Sequence, residues 1–291
     1  MSRIRTLLLA TTLTAAVSIP GLCLAADPKE VWRTEGLQQP ESVLFDPERK
    51  VFYVSNMVGG PTDKDGNGYI AKLSPDGKIL EAEWVKGLNA PKGMAVRGDR
   101  LYVADIDRLV AIDIGTGEIA KVYEAPDAKF LNDVAVDKDG RVFVSGTFTN
   151  TIYALDGDTF DIWLSSDDLA GPNGLYVDGD RLIVASWGVG EMMSAKPDHL
   201  RTIDLKTKEL ADFGDGTPIG NLDGLGMDDN GNFLVTDWVA GALFRVDPSG
   251  TPEQLLDLNQ GTADFLYRGD EKLVLIPMMK DGVLAAYRLE P

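Results

Sequence analysis

A short β-type segment recurs six times along the chain, and this repeat constrains the fold more than any other feature of the sequence. Each copy contains an apolar strand, a polar turn rich in Gly and Asp, and further apolar strands. The first strands of the six copies occupy residues 39–46, 90–97, 130–137, 171–178, 221–228 and 261–268. A spacing of 40–51 residues is typical of propeller blades. The sequence therefore predicts an all-β, six-bladed β-propeller.

The N-terminal part of the mature chain is expected to close this ring. The last repeat stops at Pro291 soon after its third strand, whereas residues 30–34 form an additional strand without a repeat of its own. Pairing the two would complete the sixth blade and remove an open sheet edge. A sandwich or a two-domain arrangement is the less favoured alternative.

Residues 1–25 have the layout of a cleavable secretory signal. Arg3 and Arg5 precede an apolar run, which ends at Pro20 and Gly21 and is followed by a site of small residues. An uncleaved membrane anchor is less favoured, because the run falls short of the roughly 20 residues that span a bilayer. We expect an exported protein, periplasmic or secreted, with one propeller domain over residues 26–291.

The charge and the scarcity of Cys and His exclude several classes of protein. Loss of residues 1–25 leaves 26 basic and 46 acidic side chains, a net charge of −20, which makes nucleic acid and anionic membranes poor partners. The single cysteine, Cys23, lies in the signal, so the mature chain has no disulfide or thiol nucleophile. One histidine, His199, cannot form a multi-histidine zinc site, and its polar loop predicts a surface position.

The third residue of each first strand should line the central channel near one mouth, because the blades are antiparallel meanders. These six ring positions are Glu41, Lys92, Asn132, Asn173, Asp223 and Ala263. Four carry carboxylate or amide oxygens, which are ligands for calcium, magnesium or manganese more than for zinc. The alternative is a polar, water-filled channel in which Lys92 neutralises the carboxylates.

The residue after each ring position and the long loops complete the predicted pocket. The following positions are Ser42, Gly93, Asp133, Gly174, Gly224 and Asp264, whose glycines should leave open space and whose aspartates are candidate bases. Loops 57–68 and 187–199 should bring an apolar rim to the same mouth, or else only pack against the disc: Met57, Trp187, Met192 and Met193, with Trp238 beside them. An apolar rim over a polar floor predicts a small-molecule site. Residues 63–68 resemble the start of an EF-hand loop, but Ser74 stands where the last ligand should be.

The ring positions also carry a resemblance to a known family. Glu41 in Pro-Glu-Ser, Asn173 in Pro-Asn-Gly-Leu and Asp223 in Leu-Asp-Gly-Leu resemble the metal ligands of the senescence marker protein (regucalcin)/gluconolactonase family. Asn132 in an Asn-Asp pair resembles that family's asparagine that contacts the substrate or a nearby water. The resemblance implies a six-bladed propeller with one divalent ion in its channel and lactonase activity.

The sequence departs from this family at Phe130, where sugar-lactonase members carry an arginine. An aromatic ring there favours an apolar lactone or ester over a sugar lactone. Other segments, such as residues 87–91 followed by 101–105, look like NHL-type repeats, which often form binding platforms.

Two functional hypotheses follow. In the first, one divalent cation held by Glu41, Asn173 and Asp223 supports hydrolysis of a small lactone or ester, with Asp223 or Asp133 as base. Calcium is favoured, with magnesium, manganese or zinc as alternatives, and the predicted substrate-binding residues are Asn132, Lys92, Trp187 and Trp238. In the second, the same propeller is a non-catalytic exported protein that binds a small ligand or a protein. Other chemistry, such as that of a lyase, is a third and less favoured alternative, and the sequence predicts no oligomeric state.

Overall fold

The computed structural model describes residues 29–125 and 127–289, which form six four-stranded antiparallel sheets. Strand β1 spans Lys29–Thr34. Blade 1 consists of β2 (Pro40–Asp46), β3 (Val51–Asn56), β4 (Gly68–Leu73) and β5 (Ile79–Leu88). Blade 2 consists of β6 (Pro91–Arg97), β7 (Arg100–Asp105), β8 (Arg108–Asp113) and β9 (Ile119–Glu124). Blade 3 consists of β10 (Leu131–Val136), β11 (Val142–Gly146), β12 (Thr151–Asp156) and β13 (Thr159–Ser165).

The second half of the ring repeats this plan. Blade 4 consists of β14 (Pro172–Asp178), β15 (Arg181–Ser186), β16 (Leu200–Asp204) and β17 (Leu210–Asp212). Blade 5 consists of β18 (Leu222–Met227), β19 (Phe233–Asp237), β20 (Ala242–Val246) and β21 (Pro252–Asp257). Blade 6 contains β22 (Leu266–Arg268), β23 (Leu273–Met278) and β24 (Val283–Arg288). Three 3₁₀ turns, at Thr147–Thr149, Asp167–Leu169 and Met192–Ser194, are the helical segments of the described residues.

The predicted propeller and its closure are both confirmed. The first strands of neighbouring blades contact one another around the centre, and the fourth strands, such as β9 and β13, are largely exposed at the outside. Strand β1 pairs with β24 in antiparallel register and supplies the outer strand of blade 6. The edge of β24 is therefore paired, and β1 takes the place of the fourth strand in this blade, as the sequence predicted.

The hydrophobic core consists of layers between adjacent blades. Phe52 and Val54 of blade 1 pack with Leu275 and Leu284 of blade 6, and the same kind of layer separates each other pair of blades. Alternating residues of each strand face one or the other neighbour, so both faces of the inner strands are apolar. This packing fixes the angle of every blade around the channel.

A β-bulge lies at the same place in blades 1 to 5. In blade 1, Pro40 pairs with Asn56 and Val43 with Val54, so that Glu41 and Ser42 together face Ser55. The equivalent register shift follows Pro91, Leu131, Pro172 and Leu222. A bulge bends the strand and redirects a side chain. The repeat thus positions one side chain per blade at the channel.

The first strand of blade 6 is shorter than predicted. The expected strand over 261–268 is reduced to Leu266–Arg268 plus an isolated bridge between Thr262 and Met278. Pro277 in β23 has no N–H to donate, and its carbonyl accepts from Ala263 N at 3.0 Å. The ladder is therefore interrupted where the ring residue lies.

The predicted signal segment, residues 1–25, lies outside the described residues. In the part of the chain that the structure describes, no helix has the length and apolar character needed to cross a membrane.

Candidate active site

Five of the six ring positions meet in one cavity at the centre of the disc. Its floor contains Glu41, Lys92, Asn132, Asn173 and Asp223, and the cavity has a volume of about 460 Å³. This is within the usual range for small-molecule sites. Ala263 is buried but does not line it. The prediction that these side chains share one mouth of the channel is confirmed.

Two carboxylates of this floor are buried without a cationic partner in direct contact. Glu41 is 2% and Asp223 4% exposed, and neither forms an ion pair within residues 29–125 and 127–289. Burial, followed by the charges of Asp223 and Asp264, raises the pKa of Glu41 well above its usual range. Burial, followed by the charge of Asp264, raises the pKa of Asp223 to about 8. The site thus holds two acidic groups whose charged forms are unfavourable without a compensating cation.

Two buried oxygens in the floor accept no hydrogen bond. They are Glu41 Oε2 and Asn173 Oδ1, and they are the buried side-chain atoms without a partner among the described residues. A buried polar atom without a partner costs about 1–3 kcal/mol, and here both atoms are potential ligands of a hard cation. Together with Asp223, they fit a divalent cation with oxygen ligands. The described residues contain no group of three or more His, Cys, Asp or Glu that could hold a metal, so the amide of Asn173 is essential to this fit.

Lys92 is a buried cation whose hydrogen bonds are directed to the protein backbone. It is 1% exposed, and its Nζ donates to Pro61 O at 3.0 Å and to Ala90 O at 2.9 Å. The same nitrogen lies 4.4 Å from the centroid of the Phe130 ring. Burial lowers the pKa of Lys92 to about 8. Lys92 lines the cavity as predicted, but its donors hold the loop after β3 in place.

Asp133 and Asp264 lie behind the ring positions. The oxygens of Asp133 accept from Val134 N and Leu175 N, both at 2.6 Å, and connect blade 3 to blade 4. Asp264 Oδ2 accepts from Ser42 Oγ at 2.5 Å and connects blade 6 to blade 1. Neither side chain lines the cavity, and burial, the charge of Asp264 and, to a lesser extent, that of Asp223 raise the pKa of Asp133.

The expectation that the adjacent glycines leave open space is wrong. A Cβ at Gly93 would collide with Asp133, one at Gly174 with the backbone of Asp223, and one at Gly224 with Asp264. Each glycine lets the inner strand of the next blade approach closely. The free volume is instead on the mouth side of the ring positions.

The mouth of the cavity is mainly apolar. We call its six large side chains the apolar rim: Met57, Trp187, Met192, Met193, Trp238 and Met279. The indole rings of Trp187 and Trp238 lie 6.1 Å apart between centroids, at an angle of 52°. The predicted contribution of loops 57–68 and 187–199 to the mouth is confirmed.

Several lining residues were not predicted from the sequence: Gln39, Gly59, Pro61, Met279 and Lys280. A usable signal was present for Met279, because it is the residue that directly follows the second strand of its blade. Met57, Trp187 and Trp238 occupy the same place in blades 1, 4 and 5 and also line the cavity.

His199 is not the surface residue that its loop suggested. It is 9% exposed, with Nδ1 at 2.7 Å from Asp198 Oδ1 and Nε2 at 2.9 Å from Asp212 Oδ1. Arg201 contacts both carboxylates as well. This network lies at the end of loop 187–199 and does not line the cavity. In the EF-hand-like segment, Asp63 and Asp65 accept hydrogen bonds from Gly60 and Asn67 within an exposed loop.

The fold is a six-bladed propeller with a central cavity of small-molecule size. A model of the SMP-30/gluconolactonase/LRE-like region matches residues 39–263, and the chain belongs to this family. Among curated proteins, no significant match is found.

Similar solved structures share the fold at low sequence identity. A gluconolactonase from Xanthomonas campestris is 15% identical, with a TM-score of 0.65 over 88% of this chain and 88% of that one. A catalytically inactive virginiamycin B lyase from Staphylococcus aureus, with quinupristin, is 15% identical, with a TM-score of 0.60 over 89% of this chain and 99% of that one. A streptogramin B lyase is 14% identical, with a TM-score of 0.59 over 89% and 98% of the two chains.

Proposed function

We propose that this protein is a divalent-cation-dependent hydrolase of a small lactone or ester. The observation that carries the proposal is the pair of partnerless buried oxygens, Glu41 Oε2 and Asn173 Oδ1, beside the carboxylate of Asp223. Burying these polar and charged groups destabilises the fold unless a ligand compensates them. Membership of the SMP-30/gluconolactonase/LRE-like family supports this class of reaction.

Glu41, Asn173 and Asp223 would hold the cation, and Asp223 has a second role as proton acceptor. When bound, the cation would polarise the ester carbonyl and make an attacking water more acidic. Calcium is the favoured metal because every proposed ligand atom is an oxygen, and magnesium, manganese or zinc are alternatives. Asp223 borders the cavity, whereas both oxygens of Asp133 are engaged by backbone N–H groups. Asp223 is therefore the better candidate to take the proton of the attacking water.

The remaining lining residues would bind and orient a small-molecule substrate. Asn132 presents an amide from the floor, in reach of a substrate that enters from the mouth. Trp187 and Trp238 form one wall of the apolar rim and would keep bulk water away from the reacting group. Lys92 would contribute to substrate binding indirectly, because it donates to Pro61 O and so positions the loop after β3.

The alternative of a non-catalytic exported binding propeller is not favoured. A propeller that only binds a ligand or a protein does not require two unpartnered oxygens and two unpaired carboxylates at the bottom of its cavity. The lyases with similar structures are too distant in sequence to indicate more than the fold.

The proposal is tested by measuring bound metal and hydrolysis together. A broad panel of lactones and esters is assayed with purified protein, with and without chelator, and with Glu41→Gln. The matched control is Glu118→Gln, the same substitution at an exposed turn. We expect chelator and Glu41→Gln to abolish both metal and activity, and Glu118→Gln to change neither. A chelator-insensitive hydrolase, or no hydrolysis by metal-loaded protein, would refute the proposal.

We also propose that the mature protein is exported, periplasmic or secreted, and starts near Ala26. This rests on the signal-like layout of residues 1–25. N-terminal sequencing of protein from the extracytoplasmic fraction is expected to begin within a few residues of Ala26. An intact N-terminus that still contains Arg3 would refute it.

A further inference from the structure

The cavity has two chemically distinct ends. The floor carries the oxygen atoms of Glu41, Asn173 and Asp223, whereas the mouth is formed by the apolar rim of thioether and indole side chains. Thioethers and aromatic faces offer little hydrogen bonding but contact apolar groups well. A ligand that fills the cavity therefore meets oxygen atoms at the floor and mainly apolar side chains at the mouth, where the exposed Gln39 and Lys280 also line the cavity.

The apolar rim is held in shape by hydrogen bonds before any ligand binds. Trp187 Nε1 donates to Met192 O at 2.9 Å, which fixes the turn that carries Met192 and Met193. Asn221 Nδ2 donates to Trp187 O at 2.8 Å and to Ala195 O at 3.2 Å, which ties both ends of the same loop to blade 5. A preformed apolar surface binds without a large ordering cost.

Part of the apolar rim is open to solvent. Met193 is 54% exposed at the mouth. Its neighbour Met192 and the half-buried Trp238 extend the apolar area inward to the floor. The exposed apolar surface is therefore continuous with the cavity.

Of the two lysines that line the cavity, one is engaged by the protein at the floor and the other is exposed. Among the described residues, the cations that line the cavity are Lys92 and Lys280. Lys92 donates to two backbone carbonyls and lies over Phe130. Lys280 contacts the side-chain oxygen of Gln260 and lies 5.3 Å from the centroid of Trp238. A polyhydroxylated or anionic group that lay against the apolar rim would exchange its hydration for apolar contacts, which is unfavourable.

We infer that the substrate is a neutral lactone or ester with an alkyl or aryl substituent of several carbons. The reacting carbonyl lies at the floor and the substituent lies against the apolar rim, so that Met192, Met193 and Trp238 determine chain-length preference. This inference rests on the proposed hydrolase function and adds the substrate class to it.

The test compares 6-alkyl-δ-lactones of increasing chain length with glucono-δ-lactone, using metal-loaded protein. Each additional methylene buried at the rim should raise kcat/KM about two- to fourfold until the rim is covered. Met192→Ser/Met193→Ser should flatten this dependence, and Trp238→Ser should do so as a second variant. The matched control is Val189→Ser, on the same loop but outside the cavity lining, which should keep the dependence of the wild type.

Binding of 6-alkyl-δ-lactams, measured by tryptophan fluorescence, tests the substrate class separately from the hydrolase function. Hydrolysis that prefers glucono-δ-lactone and ignores chain length would overturn the substrate class and leave the hydrolase intact. Chain-length-dependent lactam binding without any hydrolysis would support the apolar site and overturn the hydrolase. Lactam binding that does not depend on chain length would overturn the inference, whatever the activity.

Discussion

The ammonium group of Lys92 lies 4.4 Å from the centre of the Phe130 ring, and the contact joins blades 2 and 3 beneath the loop that follows β3. Lys92 belongs to the ring that carries the carboxylates Glu41 and Asp223, yet its protons are directed to Pro61 and Ala90. A buried positive charge at this place competes with any cation bound in the same floor.

Replacing Lys92 by Met should strengthen metal binding. The change removes a positive charge near Glu41 and Asp223 but keeps the length and apolar character of the side chain. We expect divalent-cation affinity to rise by roughly tenfold, equivalent to about 1.4 kcal/mol, in a calorimetric titration. Lys92→Arg, which retains the charge, is the control. Weaker metal binding by Lys92→Met would show that Lys92 supports the site mainly through the loop.

Asp223→Asn should have opposite effects on stability with and without metal. The pKa of Asp223, raised to about 8 mainly by burial, lies above its unfolded value, so folding takes up a proton. The favourable contribution of Asp223 to the free energy of unfolding is complete below about pH 4 and is lost as pH rises to about 8. In chelator at pH 8, Asp223→Asn should therefore raise Tm, by about 2–4 °C for each kcal/mol gained in the free energy of unfolding. With calcium, wild type should gain Tm and the variant should not. A variant that is less stable in chelator at pH 8 would contradict this account of the buried charge.

The ring positions could be predicted from the sequence because the repeat fixes their spacing, and the structure places Glu41, Asn132, Asn173 and Asp223 in one cavity. The bulges that turn these side chains inward could not be predicted, since a register shift depends on pairing between strands. The role of Gly174 was misjudged for the same reason: its missing side chain accommodates the backbone of Asp223 in the next blade. The fourth strands have weak sequence patterns because they are mostly exposed, as in β9. His199 contacts its chain neighbour Asp198 and also Asp212, which the pairing of the next strand brings to it and which the loop pattern does not reveal.

Asp133→Asn should lower the stability of the fold more than it lowers the catalytic rate. Its two oxygens accept from Val134 N and Leu175 N, and an amide has only one oxygen to offer. One buried N–H would lose its partner, at a cost of about 1–3 kcal/mol in the free energy of unfolding. We expect bound metal to be unchanged and kcat to stay within about tenfold of wild type. A loss of about 10²–10⁴-fold with metal retained would identify Asp133 as the general base.

His199→Gln should destabilise the protein more at low pH than at high pH. The hydrogen bond that the His199 ring donates to Asp198 is the main cause that raises the pKa of His199. A second bond, to Asp212, adds to this effect, whereas burial and the charge of Arg201 oppose it. A raised folded pKa gives stability that is complete below the unfolded pKa of about 6.5 and is lost as pH rises through the folded value. The difference in unfolding free energy between wild type and variant, measured by denaturant titration, should shrink between pH 5 and pH 9. A difference that grows with pH would mean that the neutral ring is the favoured form.

The most direct test of the central claim is a calcium titration of metal-stripped protein in which bound ion per chain and the rate of lactone hydrolysis are measured in the same samples. We predict that the rate rises in proportion to occupancy and saturates at about one ion per chain. Asn173→Ala, which removes one of the two unpartnered oxygens, should shift both curves together to higher calcium. A rate that is already maximal before calcium is added, or that stays at zero when one ion is bound, would contradict the account.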